Sequence, residues 1–147
     1  MLDSFLDRQL EFGLPWMMSY AERLILMSVL QLANPVVAVE IGTVFGGSLQ
    51  TIARFARKVY SLDTNQDALT HVFSNVETRT GDSKIELPKL LKELEQSGEA
   101  LGFVLIDGAH DEDGARADIN NLLAFTPRVP CTCSCTTAST RRCAREF

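Results

Sequence analysis

The sequence predicts an α/β fold, in which helices cover both faces of a parallel sheet. Short apolar segments that fit strands alternate with segments of helical periodicity, the order that parallel βαβ units produce. The first strand segment, residues 36–41, is apolar at five of its six positions and rich in β-branched residues. The fourth, residues 103–106, is apolar throughout. Both are typical of strands buried on two faces of a parallel sheet.

Length, charge and composition favour a single domain in a reducing compartment. A chain of 147 residues suits one core, and a net charge of −5 without a basic cluster argues against nucleic-acid binding. No apolar run approaches the roughly 20 residues that span a bilayer, and Asp3 and Asp7 stand where a signal peptide carries positive charge. Cysteines are absent from the first 130 residues. We therefore expect a cytoplasmic protein that binds neither nucleic acid nor membrane.

Residues 1–35 are predicted to form an N-terminal helical segment. Apolar residues at helical spacing predict a first helix over residues 2–10. Ser19 and Glu22 form a capping-box pattern ahead of a second apolar helix over residues 24–32. The Asn-Pro pair that follows ends this helix, because proline disfavours helical backbone in the residue before it.

Residues 36–127 are predicted to form a Rossmann-like, doubly wound domain that binds a cofactor. Its first strand runs into a turn that contains Gly42, Gly46 and Gly47, and helical spacing begins at Ser48. A glycine turn removes side chains where a ligand approaches the backbone, and the helix start offers free N–H groups. The turn is therefore the predicted centre of the site.

The remaining elements continue the alternation of strand and helix. We predict strands over residues 58–62, 76–79 and 103–106, and helices over residues 48–56, 65–73, 85–96 and 112–125.

Acids stand at four successive strand ends: Glu40, Asp63, Asp82 and Asp107. Ligands of open parallel sheets bind at this edge, so four acids in register are a specific signal. Asp63 lies about 20 residues beyond the turn, the spacing of an acid that accepts ribose hydroxyls. We expect Glu40 to bind a cationic group or the turn's N–H groups, and Asp82 with Ser83 to contact an adenine amino group. Asp107 is the candidate for metal or substrate chemistry.

Several nearby residues have both a functional and a structural interpretation. His110, in the loop after Asp107, fits a general base or a metal-site neighbour, but an exposed loop histidine without a task is equally compatible. The acids at 111–113 suit a helix N-terminus. Residues 16–18, Trp-Met-Met, fit a lid over the site, although packing or a dimer contact explains them as well.

Two familiar nucleotide motifs do not match the turn. The dinucleotide fingerprint requires a second glycine where Val44 stands. The phosphate-binding loop requires a lysine before its Ser/Thr, and residues 42–48 contain none. A ligand with ribose and adenine but without polyphosphate fits the residues better.

The glycine turn and the segments after it resemble those of a known enzyme family. Residues 39–48 resemble motif I of class I S-adenosylmethionine-dependent methyltransferases, in particular the small-molecule O-methyltransferase branch of cephalosporin-hydroxylase-like, catechol-type and caffeoyl-CoA-type enzymes. Residues 59–63 resemble that family's second strand with its ribose-binding acid, and residues 81–83 resemble its third-strand turn. Residues 103–110 resemble its fourth strand with the metal-site loop, and Met18 with Glu22 resembles its N-terminal segment.

The resemblance implies S-adenosylmethionine as the methyl donor and a small-molecule hydroxyl as the acceptor. It also implies Asp107 as one ligand of a divalent cation, such as Mg²⁺, in metal-dependent members. Such a cation lowers the pKa of a bound hydroxyl and holds it for transfer. Two alternatives stay open: a catalytically inactive fragment that binds cofactor, and a Rossmann enzyme that uses NAD or a nucleotide sugar.

Residues 128–147 do not fit the pattern, since Cys, Thr, Ser, Ala and Arg dominate and no apolar strand is evident. The cysteine spacing matches no common zinc site. With GC-rich codons, a shift of one base near residue 130 turns the tail into an apolar strand followed by a histidine–aspartate pair. We therefore expect a frameshifted, truncated gene that lacks the C-terminal strands, which sequencing around codon 130 tests. The fourth strand would then lie at a sheet edge and favour association of copies.

Overall fold

A computed structural model describes residues 13–108, 112–125 and 131–135 of the chain. The described residues form a five-stranded parallel sheet with helices on both faces, so the predicted α/β, Rossmann-like class is confirmed. In chain order the elements are α1 (Tyr20–Ala33), β1 (Val37–Ile41), α2 (Gly47–Phe55), β2 (Lys58–Asp63), β3 (Val76–Thr80), α3 (Ser83–Ser97), β4 (Leu101–Ile106), α4 (Glu112–Ala124) and β5 (Thr132–Cys135).

The strands are ordered β3-β2-β1-β4-β5, and every neighbouring pair is parallel. The chain moves outward from β1 through β2 to β3, then returns to the other side of β1 with β4. The order therefore switches between β1 and β4, where crevices form beyond the strand ends. Glu40 in β1 and Asp107 after β4 lie on the two sides of this switch.

Two apolar layers cover the sheet. Alternate residues of β1 point to opposite faces, so Ala38 packs with α1 and α2, while Val37 and Val39 pack with α3. Leu49 and Ile52 of α2 are fully buried on the first face. All five residues of β1 are buried, as its apolar sequence predicted.

Helix α1 begins as its capping box predicted. Glu22 N donates to Ser19 Oγ, and the Glu22 carboxylate accepts from Ser19 N at 2.7 Å. The helix ends at Asn34 in left-handed conformation, one residue before Pro35. The helix predicted over residues 2–10 lies outside the described residues. No helix among the described residues is both long and apolar enough to cross a membrane.

The helix predicted over residues 65–73 is wrong. Polar side chains compete there for the backbone donors: Asn65 N donates to Asp63 Oδ1 at 3.1 Å, and Asp67 N donates to Asn65 Oδ1 at 2.7 Å. Such local bonds stabilise turns in place of helical ones. The chain reaches β3 through this irregular segment without a helix among residues 64–75.

The prediction that the tail offers no strand beside the fourth one is also wrong. Thr132–Cys135 forms β5, which pairs in parallel with β4 in a register that places Thr132 opposite Phe103. Cys131 is buried in the core, where a free cysteine acts as a small apolar side chain. Strand β4 is therefore paired on both sides, by β1 and β5, and is not a sheet edge.

Candidate functional site

The glycine turn between β1 and α2 is joined to both neighbouring strands. Gly42 N donates to Leu62 O at 2.8 Å, which fixes the turn against the end of β2. Asp107 N donates to Ile41 O at 2.8 Å, which fixes the segment after β4 beside it. The three strand ends that carry Glu40, Asp63 and Asp107 are thus held around one turn.

The glycines make room for the protein's own backbone. A Cβ at Gly42 would stand 2.3 Å from Gly108 Cα, and one at Gly47 would stand 2.5 Å from the Pro15 carbonyl oxygen. The structure therefore gives these two glycines a role besides ligand access: the segment after β4 and the segment before α1 approach the turn too closely for any side chain. Gly46 is the N-cap of α2, with positive φ and no side-chain cap.

The segment before α1 covers one side of the turn. Gln50 Nε2, buried in α2, donates to Leu14 O at 3.2 Å and to Gly47 O at 3.1 Å. Arg23 Nε donates to Met18 O at 3.0 Å, and its guanidinium lies 4.8 Å from the Trp16 ring centroid. Helices α1 and α2 together hold this segment in place.

A cavity opens between that segment and the turn. It is lined by residues 15–18, residues 42–45, Gly47, Ser48 and Asp107. Met18 is buried in the core, whereas the Met17 side chain is 74% exposed at the cavity. The predicted tryptophan–methionine segment therefore both packs and lines the cavity. Among the described residues that line the cavity, Asp107 is the only charged one, and its charge is negative.

Glu40 is fully buried beneath the turn. Ser48 Oγ, in the cavity wall, donates to Glu40 Oε1, while Glu40 Oε2 has no hydrogen-bond partner among the described residues. Burial raises the pKa of Glu40 to about 8, the charges of Asp107 and Asp63 add to this rise, and the Ser48 and Thr43 hydroxyls oppose it. A buried acid with one oxygen unpaired is suited to a cationic partner.

Asp63 bonds directly to the turn. Its Oδ2 accepts from Thr43 N at 2.8 Å and from Val44 N at 3.0 Å. Partial burial raises the pKa of Asp63, but the backbone N–H donors of Val44, Asn65 and Thr43 outweigh it and hold the pKa below its usual range. The carboxylate is therefore ionised and engaged with the protein backbone.

Val44 is strained. Its φ of 48° is left-handed, a conformation that β-branched residues rarely adopt. Backbone conformations of this kind cost about 1–3 kcal/mol and concentrate at functional sites. The side chain is 42% exposed, so its burial offsets little of that cost.

Asp82 and Ser83 lie at the start of α3. Asp82 is the N-cap, and its Oδ1 accepts from Lys84 N at 2.9 Å. Ser83 Oγ donates to Asp118 Oδ2, on α4, at 3.0 Å. Neither residue is part of the cavity lining, so the adenine contact assigned to them remains a prediction.

The structure brings together most of the predicted site. Gly42, Gly47, Ser48 and Asp107 line the cavity, and Glu40 lies directly beneath Ser48. Asp63 and Gly46 shape the turn, whereas Asp82 and Ser83 stand apart from it. His110 lies outside the described residues. No group of three or more His, Cys, Asp or Glu residues within the described ranges is arranged to hold a metal ion.

Three buried polar side chains were not predicted from the sequence: those of Thr43, Ser61 and Asp118. The Thr43 and Ser61 hydroxyls, both buried, form a short hydrogen bond between the turn and β2. Asp118 is 0% exposed, its Oδ1 has no partner among the described residues, and burial raises its pKa. Its position gave a signal: three residues after Ala115 and four before Leu122, it falls on the inward face of α4.

The sequence matches the family model of a methyltransferase domain over residues 39–129, more than half of the chain. The chain therefore belongs to this methyltransferase family, and the family recognised from the glycine turn and strand-end acids, the class I methyltransferases, is confirmed. By sequence alone, the chain has no match among the curated proteins.

Solved methyltransferase structures share the fold. An O-methyltransferase from Bacillus cereus in complex with SAH (S-adenosylhomocysteine) is 23% identical, with a TM-score of 0.60 over 91% of this chain and 64% of its own. A putative O-methyltransferase from Klebsiella pneumoniae is 23% identical, with a TM-score of 0.58 over 91% and 63%. MycE from the mycinamycin biosynthetic pathway, in complex with Mg and SAH, is 18% identical, with a TM-score of 0.60 over 91% and 35%. The chain thus spans less than two thirds of each of these proteins.

Proposed function

We propose that this protein is part of an S-adenosylmethionine-dependent methyltransferase that acts on a hydroxyl group of a small molecule. The observation that carries the proposal is the charge of the site. Glu40, Asp63 and Asp107 surround one glycine turn, and no lysine or arginine is among the described residues that line the cavity. Such a site disfavours polyphosphate and favours a ligand with positive charge, as a sulfonium and an ammonium provide.

Glu40 fits the cationic part of that cofactor. Its unpaired, fully buried Oε2 lacks a donor, and an ammonium group supplies one. Ser48, bonded to Oε1, holds the carboxyl in place from the cavity wall. The SAH complexes among the structural neighbours support this choice of cofactor.

The cofactor supplies an electrophilic methyl group, and the protein aligns an acceptor oxygen with it. Trp16, Met17, Val44 and Phe45 give the cavity apolar walls, which reduce the access of water. Asp107, at the same cavity, is placed to orient or accept the proton of an acceptor hydroxyl. His110 is our second candidate for that proton, on its position three residues further along the chain.

The proposal also includes a divalent cation bound by Asp107. Asp107 provides a carboxylate oxygen, the type of ligand that Mg²⁺ prefers, and the neighbour MycE was solved with Mg. Titration of Mg²⁺ into the protein with and without Asp107→Asn tests it: we expect binding that the substitution removes. Equal binding by both proteins would contradict the role of Asp107.

We further propose that the protein acts in the cytoplasm, on a free small molecule. The net charge of −5 and the acidic site support an acceptor other than a nucleic acid.

Isothermal titration calorimetry tests the choice of cofactor. We expect the protein to bind S-adenosylmethionine and SAH and not NAD, and Glu40→Gln to weaken binding of both sulfur compounds by about tenfold or more, because the amide cannot ionise to pair with the ammonium group. Glu95→Gln, an exposed acid on α3, is the matched control and should bind normally. Binding of NAD alone would establish the Rossmann-type alternative, whereas cofactor binding without turnover of any hydroxyl acceptor would indicate an inactive fragment.

A further inference from the structure

Asp63 uses both carboxylate oxygens on donors of its own chain. Oδ2 accepts the backbone N–H groups of Thr43 and Val44, at 2.8 and 3.0 Å. Oδ1 accepts Asn65 N at 3.1 Å and the Thr64 hydroxyl at 3.4 Å. A carboxylate has about four acceptor positions, so the set is filled before a ligand arrives.

The two oxygens are not equivalent. Oδ2 bonds the turn at the residue whose left-handed backbone is strained, Val44, and at its neighbour Thr43. Oδ1 faces two residues of the segment after β2, and its contact with the exposed Thr64 hydroxyl is the longest of the four. The Thr64 hydroxyl is therefore the donor that a ligand can displace without disturbing the turn.

We propose that Asp63 is a positioning residue whose Oδ2 holds Val44 and the glycine turn in their cofactor-ready shape before any ligand binds. Oδ1 is then the oxygen left for the ribose hydroxyl that the family resemblance already implies, in place of the Thr64 hydroxyl; this part rests on the proposed function. The hydrogen bond to Oδ2 explains how Val44, a β-branched residue, keeps a left-handed backbone conformation at the cavity wall.

The proposal predicts an effect in the ligand-free protein. If Asp63 served only to bind a ribose, its partial burial would not stabilise the ligand-free protein. Its removal would then leave the free energy of unfolding unchanged or raise it. If Asp63 holds the turn, its removal destabilises the protein, and the loss depends on the residue at position 44. Glycine adopts left-handed backbone readily, so a turn with Gly at 44 needs Asp63 less.

The experiment is urea unfolding of the ligand-free protein with Asp63→Ala, Val44→Gly and the double variant. We expect Asp63→Ala to raise the unfolding equilibrium constant about 10- to 100-fold, as for charge-assisted hydrogen bonds, and to raise it at least threefold less in the Val44→Gly background. Asp67→Ala, an exposed acid of the same segment, is the matched control and should change little. An equal effect of Asp63→Ala in both backgrounds, or none, would overturn the proposal. If Asp63→Ala alone fails to fold, folding of the double variant supports the proposal and its failure to fold overturns it.

Asp63→Asn separates the two oxygens, because the amide retains one acceptor. We expect the side chain to turn that oxygen to the Thr43 and Val44 donors, so part of the stability lost in Asp63→Ala returns while SAH affinity stays at least tenfold reduced. Wild-type affinity for SAH in this variant would contradict the role of Oδ1. If the wild-type protein does not bind SAH, the proposed function fails, and the ligand-free unfolding data still decide whether Asp63 holds the turn.

Discussion

Glu40 makes the stability of the protein depend on pH. Its pKa in the folded protein, about 8, lies above the ordinary value of 4.5, so between these values the folded state holds a proton that the unfolded state has released. Stability from this group is therefore lost as the pH rises from about 4.5 to 8, with a slope of at most about 1.4 kcal/mol per pH unit. Asp63 and Asp107 are the charged groups that act with burial on this pKa.

Glu40→Gln should remove that dependence. We expect the free energy of unfolding of the variant, relative to wild type, to increase steadily between pH 5 and pH 8 in urea titrations. The amide stays neutral and has the same shape, so the comparison isolates the proton. Parallel pH profiles for the two proteins would mean that Glu40 ionises normally in the folded state.

The sequence predicted which residues surround the cavity better than it predicted their bonds. Strand-end position places Glu40 and Asp107 by geometry alone, since parallel strands end at one edge. The hydrogen bonds that Asp63 accepts from Thr43 N and Val44 N depend on the backbone path of the turn, which residue spacing does not predict. Asp118 was missed because α4 contains several charged and amide side chains, among which one more acid resembles an ordinary surface residue despite its spacing from Ala115 and Leu122.

At the scale of the helix, Asp82 has a structural task that is independent of any ligand. Its side chain caps α3, as Ser19 caps α1. Asp82→Ala should therefore lower the free energy of unfolding by about 1 kcal/mol in the ligand-free protein, the usual effect of a lost N-cap.

Ser19→Ala provides the matched control for Asp82→Ala. It removes a cap of the same kind from another helix, α1, and it should also lower stability by about 1 kcal/mol. If Asp82 also contacts adenine, only its variant weakens SAH binding in calorimetry. An unchanged affinity would leave Asp82 with the capping task alone.

Elements with a strong apolar period were predicted correctly, and the two errors have opposite causes. Residues 65–73 have moderate helical spacing, but Asp63 and Asn65 capture backbone donors that a helix needs. Residues 132–135 lack strand composition, yet they pair with the free side of β4. Strand formation depends on the partner as much as on the segment itself.

For the whole molecule, the alternation of strands and helices was sufficient to predict the class of fold. The strand order β3-β2-β1-β4-β5 is a matter of long-range pairing, which periodicity does not encode. It is this order that brings Asp107 beside Glu40, far apart in the chain, and so creates the acidic site. The family model matches residues 39–129, which run from within β1 through α4 of this fold.

The tail offers a test of what β5 contributes to the whole protein. Cys131 is buried with the core residues on the α3 side of the sheet, and Cys133 packs against them. A chain that ends at residue 130 would leave the edge of β4 unpaired, a fully apolar and buried strand in the present structure. Exposed edges of this kind pair with other copies. A chain that ends at Cys135 keeps β5 and is the matched control.

We expect the chain that ends at residue 130 to form dimers or larger species in analytical ultracentrifugation, with association that increases with concentration. The chain that ends at Cys135 should sediment like the full-length protein, because its β4 keeps a partner on each side. If both shortened chains sediment alike, β5 does not protect the edge of β4. If only the shorter one associates, the four residues of β5 are sufficient to cover the edge of β4 despite their composition, because the backbone hydrogen bonds that they form do not depend on the side chains.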